Sequence, residues 1–84
     1  MVVGATTIHK KLEEYLKRNY PDIEEWRITF CVLETKLQTG EPDYYKINIK
    51  FRRKGQIFDR VALAKADSNT GEIIEFKEGY YWRI

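Results

Sequence analysis

Residues 44–66 read YYKINIKFRRKGQIFDRVALAKA, and the way this stretch turns back on itself decides the fold. Its first half alternates strictly, with Tyr45, Ile47, Ile49 and Phe51 on one side and Lys46, Asn48 and Lys50 on the other. That period of two predicts a strand with one buried face over about 44–52. A second alternating run covers about 56–66, and Gly55 stands between the two where a hairpin loop needs positive φ. A two-residue loop, Lys54-Gly55, pairs Phe51 with Phe58 but sets Ile49 opposite Arg60. A three-residue loop, Arg53-Lys54-Gly55, pairs Phe51 with Ile57, Ile47 with Val61 and Tyr45 with Leu63, apolar to apolar throughout. A slip of one residue turns every side chain to the other face, so the three-residue loop is the expected one. Its cost is Asp59, which then shares the inner face and lies opposite Ile49. A carboxylate buried there without a partner is unfavourable and its pKa rises. A bulge that swings it outward, or a rim position where Arg60 reaches it, removes the conflict.

Upstream of the hairpin, Ile8, Leu12, Tyr15 and Leu16 fall at helical spacing, and Pro21 stops the helix near Asn19. A helix over about 7–20 is expected, capped by Thr6 or Thr7. Its outer face, with His9, is laced by Lys10–Glu14, Glu13–Lys17 and Glu14–Arg18 pairs. DIEEW (22–26) reads as an extra turn that docks Ile23 and Trp26. A strand over about 27–37 then alternates Ile28, Phe30 and Val32 inward. QTGEPD (38–43) turns the chain, with Pro42 barred from the interior of a central strand. Downstream, DSNTGE (67–72) makes the last turn and a strand over about 72–83 closes the sheet, with Ile74, Phe76, Tyr80 and Trp82 inward and a bulge at Gly79. The chain is thus read as α+β, one N-terminal helix packed on a four-stranded antiparallel β-meander, a single domain over 1–84.

At 84 residues, the core buries only about two-thirds of the unfolded surface. A lone Cys31 can close no internal disulfide and supplies no multi-thiolate metal site. The opening MVVGATTIHKKL lacks the layout of a signal peptide, and no run approaches a membrane span. A soluble cytoplasmic protein in a reducing compartment is expected. Abundant Glu and Lys beside scarce Gln, Met, Cys and His is a thermophile-like composition. The net charge of +2 conceals an uneven spread, −2 over residues 1–45, +6 over 46–65 and −2 over 66–84.

The tail AKADSNTGEIIEF (64–76), with YYKINIKF and the glycine hairpin before it, resembles the PepSY family over residues 7–76. In that family a strand ends in Asp, turns on Thr-Gly-Glu and resumes with apolar residues, here Asp67, Thr70, Gly71 and Glu72. The resemblance implies a cystatin-like wrapping of a meander around one helix, and a role in inhibiting or chaperoning a protease. Family members are typically extracytoplasmic, whereas no export signal is seen here, and the Gln-Val-Val-type inhibitory hairpin of cystatins is not found. The family offers no catalytic residue to carry over.

Catalysis lacks parts. A nucleophilic Cys31 needs a base, and His9, the only histidine, is placed on the helix's outer face. No phosphate loop, zinc spacing or nucleophile elbow is present. The chain is therefore expected to be no enzyme and to need no cofactor or metal. The candidate site is the outer sheet face around the Arg53-Lys54-Gly55 turn. Lys46, Lys50, Arg52, Arg53, Lys54 and Arg60 supply charge there, and Tyr44, Phe58 and Tyr81 supply contact area. Ala62, Ala64 and Ala66 add a flat floor where another sheet or helix can approach. Aromatic and Arg side chains together suit a protein interface, so the expected partner is a protein or a second copy of this chain. Nucleic acid, gripped through phosphates and stacked bases, is the alternative; a PepSY-like inhibitor or chaperone is the second. No membrane is expected as a partner.

Overall fold

The computed structural model describes residues 2–35 and 43–83. Helix α1 (Ala5–Asn19) is followed by strands β1 (Ile23–Glu34), β2 (Tyr44–Arg53), β3 (Arg60–Asp67) and β4 (Ile73–Glu78). All neighbours are antiparallel and lie in the order β1-β2-β3-β4. This is the expected α+β meander under one helix. The helix begins earlier than Thr6 or Thr7 would place it: Gly4 is the N-cap and no side chain caps it. The turn expected at 38–43 and the strand end at 36–37 lie, Asp43 apart, outside the described residues.

The register of the central hairpin differs from expectation. Phe51 faces Arg60, Ile49 faces Ala62, Ile47 faces Ala64 and Tyr45 faces Ala66. The loop is six residues long, Lys54–Asp59, because Gln56, Ile57, Phe58 and Asp59 never enter the strand. A shift of three residues against the expected pairing reverses the faces of β3. Ala62, Ala64 and Ala66 therefore point at the helix, each fully buried in one cluster with Ile8, Leu12, Leu16, Ile47, Ile49 and Phe51. Val61 and Leu63 point the other way. Volume explains the choice. The helix lays Ile8, Leu12 and Leu16 over the middle of the sheet, and large side chains on β2 beside methyl groups on β3 leave room for them. Asp59 stands exposed in the loop, which resolves the conflict that the expected register carried.

Two irregularities displace other residues from their expected faces. In β1, Trp26 and Ile28 face the core, but a register shift between Ile28 and Phe30 follows. Phe30 then pairs with Asn48 and Val32 with Lys46 on the outer face, while Cys31 pairs with Ile47. The extra residue is Thr29, whose hydroxyl donates to the Asn48 carbonyl at 3.3 Å. DIEEW is no separate turn, since β1 already runs from Ile23. In β4 a shift leaves Ile73 against Ala66 and Ile74 without a partner, 58% exposed. Phe76 does face inward, its ring 5.4 Å from Tyr15 and 5.0 Å from Tyr20. The strand ends at Glu78, so Tyr80 is exposed and Trp82 crosses to the outer face instead of lining the core.

The β3–β4 turn is tied to the start of the helix. Asp67 Oδ1 accepts from the amides of Asn69 and Thr70 at 2.8 and 3.1 Å. The hydroxyl of Thr70 accepts from Glu72 N. Gly71, at φ +79°, sits against Val3, Thr7 and Lys11, where an added Cβ would crowd Thr7 and Lys11 at 3.2 Å. Val3 N donates to Ser68 O at 2.8 Å, Tyr45 Oη to Val3 O at 2.7 Å, and Lys11 pairs with Glu72 at 3.0 Å. This knot of bonds closes one end of the helix–sheet layer.

Two outcomes follow from this packing. Ala64→Leu, which overfills the trough under the helix, is expected to lower unfolding stability by about 1–3 kcal/mol in urea melts, whereas an outward-facing position would tolerate it. The two amides hold the Asp67 carboxyl below its usual range. Its charged form is favoured by folding, so this stability is present above the ordinary carboxylate pKa of about 4 and is lost as pH falls through the lower folded value. Asp67→Asn keeps the acceptor oxygen and should flatten the acid limb of a stability–pH curve below about pH 4.

Candidate protein-interaction surface

The nine residues expected to form one patch fall into three environments. Tyr44 and Lys46 begin β2, about 26 and about 20 Å along the strand from Arg52. Lys65 Nζ lies 4.3 Å from the centre of the Tyr44 ring, and Trp82 stands 6.5 Å from the same ring. Lys46 pairs with Glu34 at 3.5 Å and lies over Trp82 at 5.1 Å. This end of the outer face is occupied by the chain's own side chains.

Arg52 and Arg53 are committed to the fold. Arg52 reaches Glu25 on β1 at 3.0 Å. Arg53 holds Asp22 with both carboxylate oxygens at 2.8 and 2.9 Å and Glu78 with its other nitrogen. Its guanidinium also lies 5.7 Å from the Tyr20 ring and 5.6 Å from the Phe51 ring. The side chain thus joins the β1 entry, the end of β2 and the end of β4 beside the helix terminus. The Arg53 bonds hold Asp22 below the usual carboxylate range, and the two carboxylates raise Arg53 further. One guanidinium nitrogen thus bridges both Asp22 oxygens while another bonds Glu78, three charge-assisted hydrogen bonds from one side chain.

Lys50, Lys54, Phe58, Arg60 and Tyr81 remain. Lys50 is exposed, opposite Val61 on β3 and Arg27 on β1. Lys54 and Phe58 sit in the loop, and Arg60 donates to the side chain of Gln56 at 3.3 Å. Tyr81 lines a shallow depression of about 210 Å³ with Thr29, Asn48, Ile49, Lys50 and Val61. Among the described residues, Arg27, Lys50, Lys54 and Arg60 enter no ion pair. The loop itself is apolar at its crown: Ile57 is 83% exposed and Phe58 76%. It projects from the sheet in a molecule 45 × 24 × 17 Å in extent. The pairing expected from the sequence puts Ile57 in the core and gives Arg27 no role, and both are exposed. Their signal lay in Asp59, since a register that buries an unpaired carboxylate argues for a longer loop, and a longer loop exposes Ile57.

The other reactive groups have structural settings. The Cys31 thiol is exposed, and partial burial of its sulfur raises its pKa, away from the thiolate that nucleophilic chemistry needs. The His9 ring stacks on Trp26 at 4.7 Å, so it covers an aromatic edge of the core instead of facing water alone. Among the described residues no three His, Cys, Asp or Glu side chains are placed to hold a metal ion, and no helix is long and apolar enough to cross a membrane. No family model, curated protein or solved structure matches the chain.

The division of cations is directly checkable. Arg53→Ala should lower the melting temperature by several degrees, because three strands and the helix end lose a shared anchor. Lys54→Ala, an exposed change in the loop, should leave it within about one degree, as surface substitutions away from built contacts do.

Proposed function

We propose that the chain is a non-catalytic interaction domain that grips a protein partner with the Lys54–Asp59 loop. The observation that carries this reading is the pair Ile57–Phe58, adjacent in sequence and each more than three-quarters exposed. A six-residue loop needs polar residues and glycine for its turn, not two large apolar side chains side by side. Apolar anchors that fill a partner's pocket account for most of the energy of many interfaces. Tyr81 adds a third large side chain, 60% exposed, over the depression next to Lys50.

Charge selects the kind of partner. Arg27 and Lys50 face each other across β1 and β2, a like-charge cross-strand pair that costs the free fold stability. With Lys54 and Arg60 they make four cations outside the ion pairs of the described residues, although Glu24, Glu25 and Asp59 line the same depression as Arg27 and Lys50. A symmetric dimer built on this patch would set the same cations against each other, because a two-fold interface repeats one surface on both subunits. A partner with an apolar groove rimmed by Asp and Glu fits better than a second copy. Single-stranded nucleic acid is the second reading, favoured by the same four cations beside the exposed rings of Phe58 and Tyr81. It implies a steep salt dependence, with a log–log slope of about −3 for four phosphate contacts.

A photo-crosslinking residue at position 58 identifies the partner in cells, and titration with that purified partner measures the contact. Phe58→Asp is expected to weaken binding at least tenfold while leaving the melting temperature unchanged. Lys50→Glu, which reverses one of these cations, should weaken binding while the chain stays folded. Equal affinity of wild type and Phe58→Asp would refute the reading. Binding of labelled single strands that collapses with salt would replace it by the nucleic-acid one.

A further inference from the structure

Beyond Gly79 the chain leaves the sheet and lays residues 80–83 across the outer face, on β2 and β3. Gly79, at φ +89°, makes the pivot, and its amide donates to Val61 O at 2.9 Å. The strap is then held at one residue. Asn48 Nδ2 donates to Trp82 O at 2.8 Å, and Asn48 Oδ1 accepts from Trp82 N at 2.6 Å. The indole Nε1 donates to Ala64 O at 3.0 Å, and Lys46 lies 5.1 Å above the ring. Tyr80 and Tyr81 on the same strap are 63% and 60% exposed.

Asn48 is the centre of this arrangement. It is 7% exposed on the otherwise solvent-facing side of the central strand, with both ends of its amide satisfied by the main chain of one residue. An amide side chain that gives one bond to a C=O and takes one from the N–H of the same residue imitates the edge of a strand. It reads groups that every residue except proline carries, so it recognises extended backbone and not a particular sequence. Selectivity comes from the slot beside it, where Ala64 O accepts an indole N–H and the Lys46 ammonium faces the ring.

We propose that this clip is a peptide-binding site for an extended segment bearing tryptophan, and that the strap is its occupant in cis. A partner protein presenting such a segment replaces Trp82, and the strap swings out about Gly79. The pivot is a glycine at positive φ, and its bond to Val61 O does not involve residues 80–83. Tethering gives the cis segment an effective concentration on the order of millimolar. A free peptide therefore competes poorly with the intact strap and well with a weakened one. This inference rests on the strap and Asn48, and holds whether or not the Ile57–Phe58 crown binds anything.

The test uses the full chain and a labelled Gly-Tyr-Tyr-Trp-Arg peptide, read by fluorescence anisotropy. Trp82→Ala, which empties the slot, should bind the peptide at least tenfold more tightly than wild type, and adding Asn48→Ala should abolish that gain. Trp82→Phe, which keeps an aromatic ring but loses the indole donor, should give an intermediate gain and serves if Trp82→Ala does not fold, as judged by circular dichroism. A peptide with Ala in place of Trp should not bind. Phe58→Asp should leave peptide binding unchanged, which separates this site from the crown. Equal peptide affinity for wild type and both Trp82 variants, or a gain that survives Asn48→Ala, would overturn the proposal.

Discussion

Three methyl groups set the architecture. Ala62, Ala64 and Ala66 form a fully buried row on β3, and they allow α1 to bring Ile8, Leu12 and Leu16 down onto the sheet beside Ile47, Ile49 and Phe51. Because a strand alternates its faces, placing this row under the helix also decides everything on the opposite side. Val61 and Leu63 must then face outward, Arg60 must close the hairpin opposite Phe51, and residues 54–59 must form the loop. The crown of Ile57 and Phe58 is thus a geometric consequence of how the helix packs. Two large apolar side chains exposed together in that loop are the observation on which the proposed partner contact rests.

The same packing sorts the basic residues of the hairpin. Side chains at the junction of β1, β2 and β4 lie near Asp22, Glu25 and Glu78, and Arg52 and Arg53 are drawn into ion pairs there. Lys54 and Arg60, further out on the loop, enter no ion pair among the described residues, with Asp59 beside Arg60. A charge run that looks uniform along the chain is therefore two populations in space, one holding the fold together and one outside the ion pairs of the described residues. Arg53, which reaches two carboxylates and two rings, belongs to the first despite its place in the middle of the basic stretch.

The outer sheet face is also less empty than a one-helix, one-sheet layer implies. Trp82 covers its middle, and Asn48 there is nearly as buried as the isoleucines on either side of it. In so small a chain, burying part of both sheet faces adds core that one helix alone cannot supply. Tyr80 and Tyr81, which precede the clip on the same strap, both keep exposed rings.

The period of the apolar residues determined the element types by itself. Helical spacing at Ile8, Leu12 and Leu16 and alternation at Tyr45, Ile47, Ile49 and Phe51 gave a helix, strands and the inner face of β2 in agreement with the structure. The turn at Asp67–Glu72 was legible too, since Asx chemistry and a positive-φ glycine are local. Of the candidate surface, the exposure of Phe58, Tyr81 and Lys50 could be read from the chain, while the ion pairs of Arg52 and Arg53 and the burial of Tyr44 and Trp82 could not. Register was the quantity that local pattern left open, because pairing apolar with apolar rewarded Ile57, Val61 and Leu63 as readily as the alanine row. Only the tertiary structure decided it: the helix must fit over the sheet, and the volume available beneath it is a property of three elements at once, to which no single stretch of sequence has access.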